Sequence, residues 1–142
     1  MPTYEATREL LAPRADVWAF LSEPYNLPDW WPGISGLQPD RRGFAPGARW
    51  QVFSLERLPL MGWREPKRAT TLVLGDVEPL ERWTWHLTGE LPLDVEIHLA
   101  AAAADRTLVE IAVAANPLAG PGNLARTGVD RLYELVQTAA EL

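Results

Sequence analysis

The two histidines, His86 and His98, are the side chains of this sequence best suited to exchange protons near neutral pH. They fall in two neighbouring segments of alternating apolar and polar residues, which predict two strands joined as a hairpin. Depending on the register of that hairpin, His86 lies opposite either Glu96 or His98. The first pairing could act as a general base, and the second could begin a metal site.

The alternation itself favours a less reactive interpretation of these histidines. Successive strand residues point to opposite faces of a sheet, and His86 shares a face with Arg82 and Thr84 rather than with the apolar residues. We therefore interpret the histidines as a surface pair, with a catalytic pair as the alternative. No metal is expected, because no third ligand has suitable spacing.

Several other kinds of chemistry are excluded by residues or motifs that the sequence lacks. It has no cysteine, so thiol nucleophiles, disulfides and cysteine-based metal sites are ruled out. It shows no Ser–His–Asp order, no HExxH and no phosphate-binding glycine loop, which argues against a hydrolase or an NTPase. We expect no cofactor, and the pattern identifies no catalytic residue.

Charge and hydropathy narrow the choice of partners and location. The formal net charge is −6 and Lys67 is the only lysine, so no basic patch favours nucleic acid as a partner. The longest apolar run, 99–104, is much shorter than the roughly 20 residues of a membrane-spanning helix, so no integral membrane association is expected. The first residues do not resemble a secretory signal, which predicts a cytoplasmic location.

The elements that must position any site follow from periodicity and turn residues. The chain has 142 residues, 47% of them hydrophobic, and is expected to form a single domain over 1–142. The expected order is a strand, two short helices, six strands and a long helix. The predicted ranges are 3–12, 13–22, 24–33, 34–40, 48–56, 67–77, 80–88, 93–103, 106–116 and 123–141.

This order predicts an α+β fold. An antiparallel sheet with one apolar face needs a cover, and the terminal helix is the only predicted element long enough to provide it. Leu124, Gly128, Leu132, Leu135 and Ala139 form its predicted buried stripe.

Four stretches of the sequence carry a family resemblance. They are 12–21 (APRADVWAFL), 25–34 (YNLPDWWPGI), 47–50 (GARW) and 77–82 (VEPLER). The chain resembles the START-related polyketide cyclase/dehydrase and lipid-transport (SRPBCC) superfamily over essentially its whole length. The resemblance implies a helix-grip fold, in which a seven-stranded antiparallel sheet curls around the C-terminal helix and leaves a cavity for an apolar ligand. It does not specify a reaction.

The inward-facing strand positions and the helix line either a packed core or an apolar pocket, and the pocket is the preferred interpretation. The third strand is ambiguous, and Trp50 is placed inward on its size, with Ser54 and Glu56 then sharing its face. Gly128, in mid-helix, indicates either room beneath the helix or a close approach to it. The predicted ligand-binding residues are Trp50, Trp83, Trp85, Leu87, Val95, Ile97, Val109, Ile111, Leu124, Gly128 and Leu132.

The remaining aromatic residues and one apolar loop have several interpretations. The segment 58–64 (LPLMGWR) could be a lid over the pocket, a homodimer contact or ordinary packing. Arg64, Tyr133 and Glu56 are candidate polar groups at the pocket mouth. Trp30 and Trp31 are expected to anchor the short helices against the sheet, with ligand contact as the alternative.

Three functions are consistent with these patterns. The first is binding or transport of a small apolar molecule, lipid-like or aromatic and polyketide-like, which requires only the pocket. The second is a cyclase/dehydratase-type enzyme, which also needs an inward polar group. The third is a regulator that contacts other proteins, which an exposed apolar patch at 58–63 would favour. The scarcity of inward polar residues favours the first.

Overall fold

A computed structural model of the chain describes residues 2–53, 55–57, 64–66, 70–88, 92–115 and 123–141, without side chains at 55–57, 64–66 and 139–141. In order, the elements are β1 (Thr3–Leu10), α1 (Arg14–Leu21), a 3-10 turn (Pro24–Asn26), α2 (Leu27–Trp30), β2 (Gly36–Gln38), β3 (Arg49–Phe53), β4 (Leu55–Arg57), β5 (Arg64–Pro66), β6 (Thr70–Glu78), β7 (Arg82–Leu87), β8 (Leu93–Ala103), β9 (Arg106–Ala115) and α3 (Leu124–Glu141).

Seven of these strands form one antiparallel sheet in the order β1-β9-β8-β7-β6-β3-β2. The sheet is curled, and α3 packs against it, chiefly on β1 and β9. The helix-grip α+β fold predicted from the sequence is confirmed. None of the helices in the described ranges is long and apolar enough to cross a membrane.

Alternation along the central strands separates an inner, apolar face from an outer, polar one. Trp83 pairs with Ile97 and Trp85 with Val95 across β7 and β8, and all four side chains are buried. Ile97 in turn pairs with Ile111 of β9. Cross-strand apolar pairs of this kind hold the register, because a slip of one residue would turn the whole set outward.

The structure corrects the end of one predicted strand and the predicted buried face of α3. The strand expected over 48–56 ends at Phe53, and 55–57 instead pairs with 64–66 in a separate two-stranded sheet, β4–β5. The buried stripe of α3 is also rotated from the predicted one. Its buried members are Ala125, Gly128, Val129, Leu132 and Val136, whereas Leu124 and Leu135 are only half-buried. Both sets have helical spacing and share Gly128 and Leu132, so the helix is turned by part of one residue step from the predicted orientation. The side chain of Ala139, the last predicted member, lies outside the described residues.

The bulge in β6 depends on a glycine. The register of β6 against β7 shifts between Leu74 and Val77, and within it a Cβ on Gly75 would lie 2.4 Å from Thr84 Oγ1. That hydroxyl accepts a hydrogen bond from the Asp76 backbone N–H at 2.8 Å, so it cannot move without losing this bond.

Gly75→Ala is therefore expected to lower the free energy of unfolding by about 1–3 kcal/mol, as overpacking usually does. Gly36→Ala is the matched control, because its Cβ would meet nothing within 4 Å, and we expect a change below about 0.5 kcal/mol there. Urea denaturation of the two variants measures both values. Equal effects at the two positions would contradict the close approach to Thr84.

Candidate ligand site between the sheet and the C-terminal helix

The inner face of the sheet carries a cluster of aromatic side chains, here called the aromatic cluster. Strands β3 and β7 contribute to it from the sheet, and α1, α2 and the loop before β3 contribute from the covering layer. Its members are Trp18, Trp30, Trp31, Phe44, Trp50, Trp83 and Trp85. Apart from the half-buried Trp18 and Phe44, these side chains are at most 2% exposed.

The rings of the aromatic cluster form a continuous network. The Trp83 and Trp85 centroids are 4.5 Å apart, and Trp31 meets Trp85 edge-on at 5.0 Å. Phe44 lies 4.7 Å from Trp83 on the other side. Separations of 4.5–7 Å with inclined planes are the favoured geometry for aromatic pairs, which are worth about 0.5–1.5 kcal/mol each beyond the area they bury. The cluster therefore contributes substantially to holding the short helices on the sheet.

Gly128 explains how Trp31 reaches the centre of this cluster. A Cβ at Gly128 would lie 3.3 Å from Ile111 Cδ1 and 3.5 Å from the Trp31 ring. The space that the glycine leaves beneath α3 is thus filled by an indole ring delivered from the end of α2. Of the two interpretations of Gly128, a close approach to the helix is the one that the structure displays.

The structure brings most of the predicted ligand-binding residues to this inner face. Buried there are Trp50, Trp83, Trp85, Val95, Ile97, Val109, Ile111, Gly128 and Leu132. Leu87, at the end of β7, and Leu124, in the first turn of α3, are half-buried at its margin. Trp30 and Trp31 anchor α2 against the sheet through Trp83 and Trp85.

Phe44 is a member of the cluster that sequence reasoning missed. It lies in the loop 43–47, which its glycines and proline mark only as a turn. The loop is tied to β3, because Trp50 Nε1 donates to the Gly43 carbonyl oxygen at 2.7 Å. The position of an aromatic residue between turn residues could have identified Phe44, because a large apolar side chain in a loop is seldom left exposed to solvent.

Two indole N–H groups of the cluster find no acceptor among the described residues. They belong to Trp30 and Trp83, whose side chains are fully buried. More than nine in ten buried polar groups in proteins are hydrogen-bonded, so two such donors in one cluster need an explanation.

Polar side chains approach the inner face at its β1 edge. Arg8 of β1 donates to Asp130 of α3 at 2.7 Å, and its guanidinium stacks on the Tyr133 ring at 3.8 Å from the centroid. Tyr133, a candidate for the pocket mouth, therefore takes part in joining α3 to β1. The side chains of Glu56 and Arg64 lie outside the described residues, as do Ser54 and the 58–63 part of the candidate lid.

The histidines lie on the outer face, and their predicted pairing is wrong. His86 is paired with Asp94, and their side chains hydrogen-bond at 2.6 Å between Nδ1 and Oδ1. His98 instead stands opposite Arg82. The observed register differs from both predicted ones because Leu87 pairs with Leu93, which leaves five residues between the two strands. Every residue of β7 therefore pairs with a different residue of β8 than predicted. Both histidines are nearly half exposed, in agreement with a surface pair.

An ion-pair network surrounds Glu96 on this outer face. Arg82 Nε donates to Glu96 at 2.6 Å and its Nη1 to Asp76 at 2.8 Å, while His98 Nε2 lies 2.9 Å from Glu96. The hydrogen bond from Arg82 is the largest cause that lowers the pKa of Glu96. No group of three or more potential metal ligands occurs among the residues that the structure describes.

Two of the hollows on the described surface are alternative places for a ligand, and Trp85 is among the residues that line the first of them. One, of about 400 Å³, opens on the outer face between Gly75, Thr84, His86 and Ala112. The other, of about 390 Å³, lies between α1 and α3 and is lined mainly by Leu11, Phe20, Leu135 and Val136.

The curled sheet, the C-terminal helix that it wraps and the apolar inner face together define a helix-grip protein. Residues 1–138 match the family described as polyketide cyclase/dehydrase and lipid transport, and the chain belongs to that family. No protein with a curated description matches the sequence.

Solved structures show the same fold. The di-domain ARO/CYC BexL from the BE-7585A biosynthetic pathway matches with a TM-score of 0.75 at 18% identity, over 100% of this chain and 48% of BexL. The chain thus spans about half of that protein. XoxI from Bacillus cereus matches with a TM-score of 0.69 at 15% identity, over 96% of each chain. CV1439 from Chromobacterium violaceum matches with a TM-score of 0.71 at 20% identity, over 96% of this chain and 98% of CV1439.

Proposed function

We propose that this protein binds a small, flat, apolar molecule between its sheet and α3. The aromatic cluster on the inner face is the observation that carries the proposal. Seven aromatic side chains meet there, and membership of a family named for polyketide cyclisation and lipid transport supports a hydrophobic ligand. The bound molecule would stack among the same indole faces that now contact one another.

Trp31 is the side chain that the ligand would displace. It is the last residue before Pro32 and Gly33, and Gly33 has a φ of +88°, a conformation that glycine adopts without strain. Rotation about this junction would lift Trp31 from Gly128 and Trp85 while α1 and the sheet stay in place. A ligand of indole size or slightly larger fits the space that Trp31 leaves.

The cost of this displacement limits the affinity. Removing a buried aromatic side chain from its contacts costs about 3–5 kcal/mol, and the ligand must replace those contacts before any net binding appears. We therefore expect simple bicyclic aromatic probes to bind more weakly than they would to a preformed cavity of the same size.

Binding is favoured over catalysis by the composition of the site. The members of the aromatic cluster are Trp and Phe, and none of them titrates near neutral pH. A cyclase or dehydratase needs a group that moves protons at the substrate. The Arg8–Asp130 pair stands at the β1 edge and is engaged in joining β1 to α3.

Native mass spectrometry of the protein purified from its own host tests this proposal. We expect a fraction of the protein to carry a small apolar molecule that organic solvent releases. Titration of the stripped protein with bicyclic aromatics should then change its tryptophan emission. Recovery of the bare chain alone, together with unchanged emission on titration, would contradict a ligand-binding role.

A further inference from the structure

We infer that Trp30 and Trp83 recognise an oxygen acceptor on the ligand, so that the protein selects aromatic ketones or phenols over aromatic hydrocarbons. This inference rests on the proposed binding function and specifies its ligand class. It starts from the two fully buried indole N–H groups that have no acceptor among the described residues.

Trp50, in the same cluster, has an indole N–H group that is hydrogen-bonded. Trp50 Nε1 donates to the Gly43 carbonyl oxygen at 2.7 Å, as buried indoles usually do. Trp30 and Trp83 bury the same group without such a bond, although a phenylalanine could supply an aromatic face without a donor. Among the described residues their N–H groups have no hydrogen bond to lose when a molecule enters the cluster.

Trp30 borders the position that the ligand would take, and Trp83 lies one ring behind it. The Trp31 ring lies 5.7 Å from Trp30 and 5.0 Å from Trp85. Trp85 in turn lies 6.0 Å from Trp30 and 4.5 Å from Trp83. A ligand that replaces Trp31 against Trp85 consequently has Trp30 as a direct neighbour and Trp83 one ring away.

The chemistry of the donors selects among oxygen-bearing ligands. An indole N–H donates and cannot accept, so it pairs with a carbonyl or hydroxyl oxygen and offers nothing to an ammonium group. A carboxylate would lose its hydration without gaining a counter-ion from the aromatic cluster, whose members carry no charge. The site therefore suits a neutral ketone or phenol on an aromatic body better than a fatty acid.

The test compares naphthyl methyl ketone with its isopropenyl analogue, in which a CH2 group replaces the ketone oxygen at nearly unchanged shape. We expect the ketone to bind about 3- to 10-fold more tightly, as one net hydrogen bond provides. Calorimetric titration measures both affinities.

Benzothienylalanine, which carries sulfur where tryptophan has N–H, removes the donor and keeps the ring. At Trp30 and at Trp83 we expect it to leave the stability of the free protein unchanged and to reduce the preference for the ketone. At Trp50, the matched control, benzothienylalanine should lower the stability of the free protein and leave the preference for the ketone unchanged, because the N–H of Trp50 already donates to the Gly43 carbonyl oxygen. Trp30→Phe and Trp83→Phe also remove the donor, but they leave a smaller ring in a buried position, so only their preference for the ketone is compared.

The outcomes separate this inference from the proposed function. If neither probe binds, the binding function fails and the inference fails with it. If both probes bind equally, or if the replacements at Trp30 and Trp83 leave the preference unchanged, the inference alone is overturned. Loss of free-protein stability at Trp30 and Trp83 equal to that at Trp50 would show that their N–H groups already have partners, and would also overturn it.

Discussion

Trp31→Ala is expected to lower the free energy of unfolding by about 3–5 kcal/mol, the usual cost of removing a buried large aromatic side chain. Trp31 is 2% exposed and fills the space between Gly128 and Trp85. The variant would therefore contain a dry cavity lined by aromatic rings. Such cavities bind small aromatic molecules of matching size.

Indole added to Trp31→Ala is accordingly expected to recover part of the lost stability. Urea denaturation with and without indole measures the loss and the recovery. Tyr25→Ala serves as the control, because Tyr25 lies in the neighbouring turn but is 63% exposed, and its loss should cost less than about 0.5 kcal/mol. Similar losses in the two variants, or no effect of indole, would refute the assignment of Trp31 as the residue that fills the site.

Gly128→Leu is expected to lower the stability of the protein and to abolish ligand binding. Even a Cβ at this position would lie 3.3 Å from Ile111 and 3.5 Å from Trp31, and leucine adds three more carbon atoms to a filled space. Overpacking of this kind costs about 1–3 kcal/mol, which exceeds the gain of about 1 kcal/mol from removing a glycine within a helix. Binding of naphthyl ligands should be lost, because the leucine occupies their position.

A double variant shows whether the two residues share one space. Combining Gly128→Leu with Trp31→Ala should cost at least 1 kcal/mol less than the sum of the single changes, since the leucine then fills the cavity. Arg131→Leu, on the exposed side of the same helix, is the control for adding a leucine to α3. Additive effects in the double variant would contradict the packing of Trp31 on Gly128.

The sequence predicts the faces of the sheet well because alternation is a local property. Trp83, Trp85, Val95 and Ile97 are found on the inner face for the reason that their spacing indicated. The strand register is less local, since it depends on how the hairpin closes. The pairing of His86 with Asp94 therefore could not be fixed by pattern alone.

The residues of the covering layer that pack on the inner face are harder to predict than the strand residues that point toward it. Trp31 reaches Gly128 because α2 docks across the sheet, and no spacing in the sequence relates these two residues. Phe44 enters the cluster from a loop whose composition marks only a turn. Both contacts join distant parts of the chain, and local propensity has no influence over such contacts.

A crystal structure of the protein with naphthyl methyl ketone shows whether the ligand replaces Trp31 in the aromatic cluster. We expect the ligand to lie between Trp85 and Gly128, with Trp31 displaced. The ketone oxygen of the ligand should lie within hydrogen-bonding distance of Nε1 of Trp30 or Trp83. A ligand seated only in the outer hollow beside His86, or in the hollow between α1 and α3, with the aromatic cluster unchanged, would contradict this expectation.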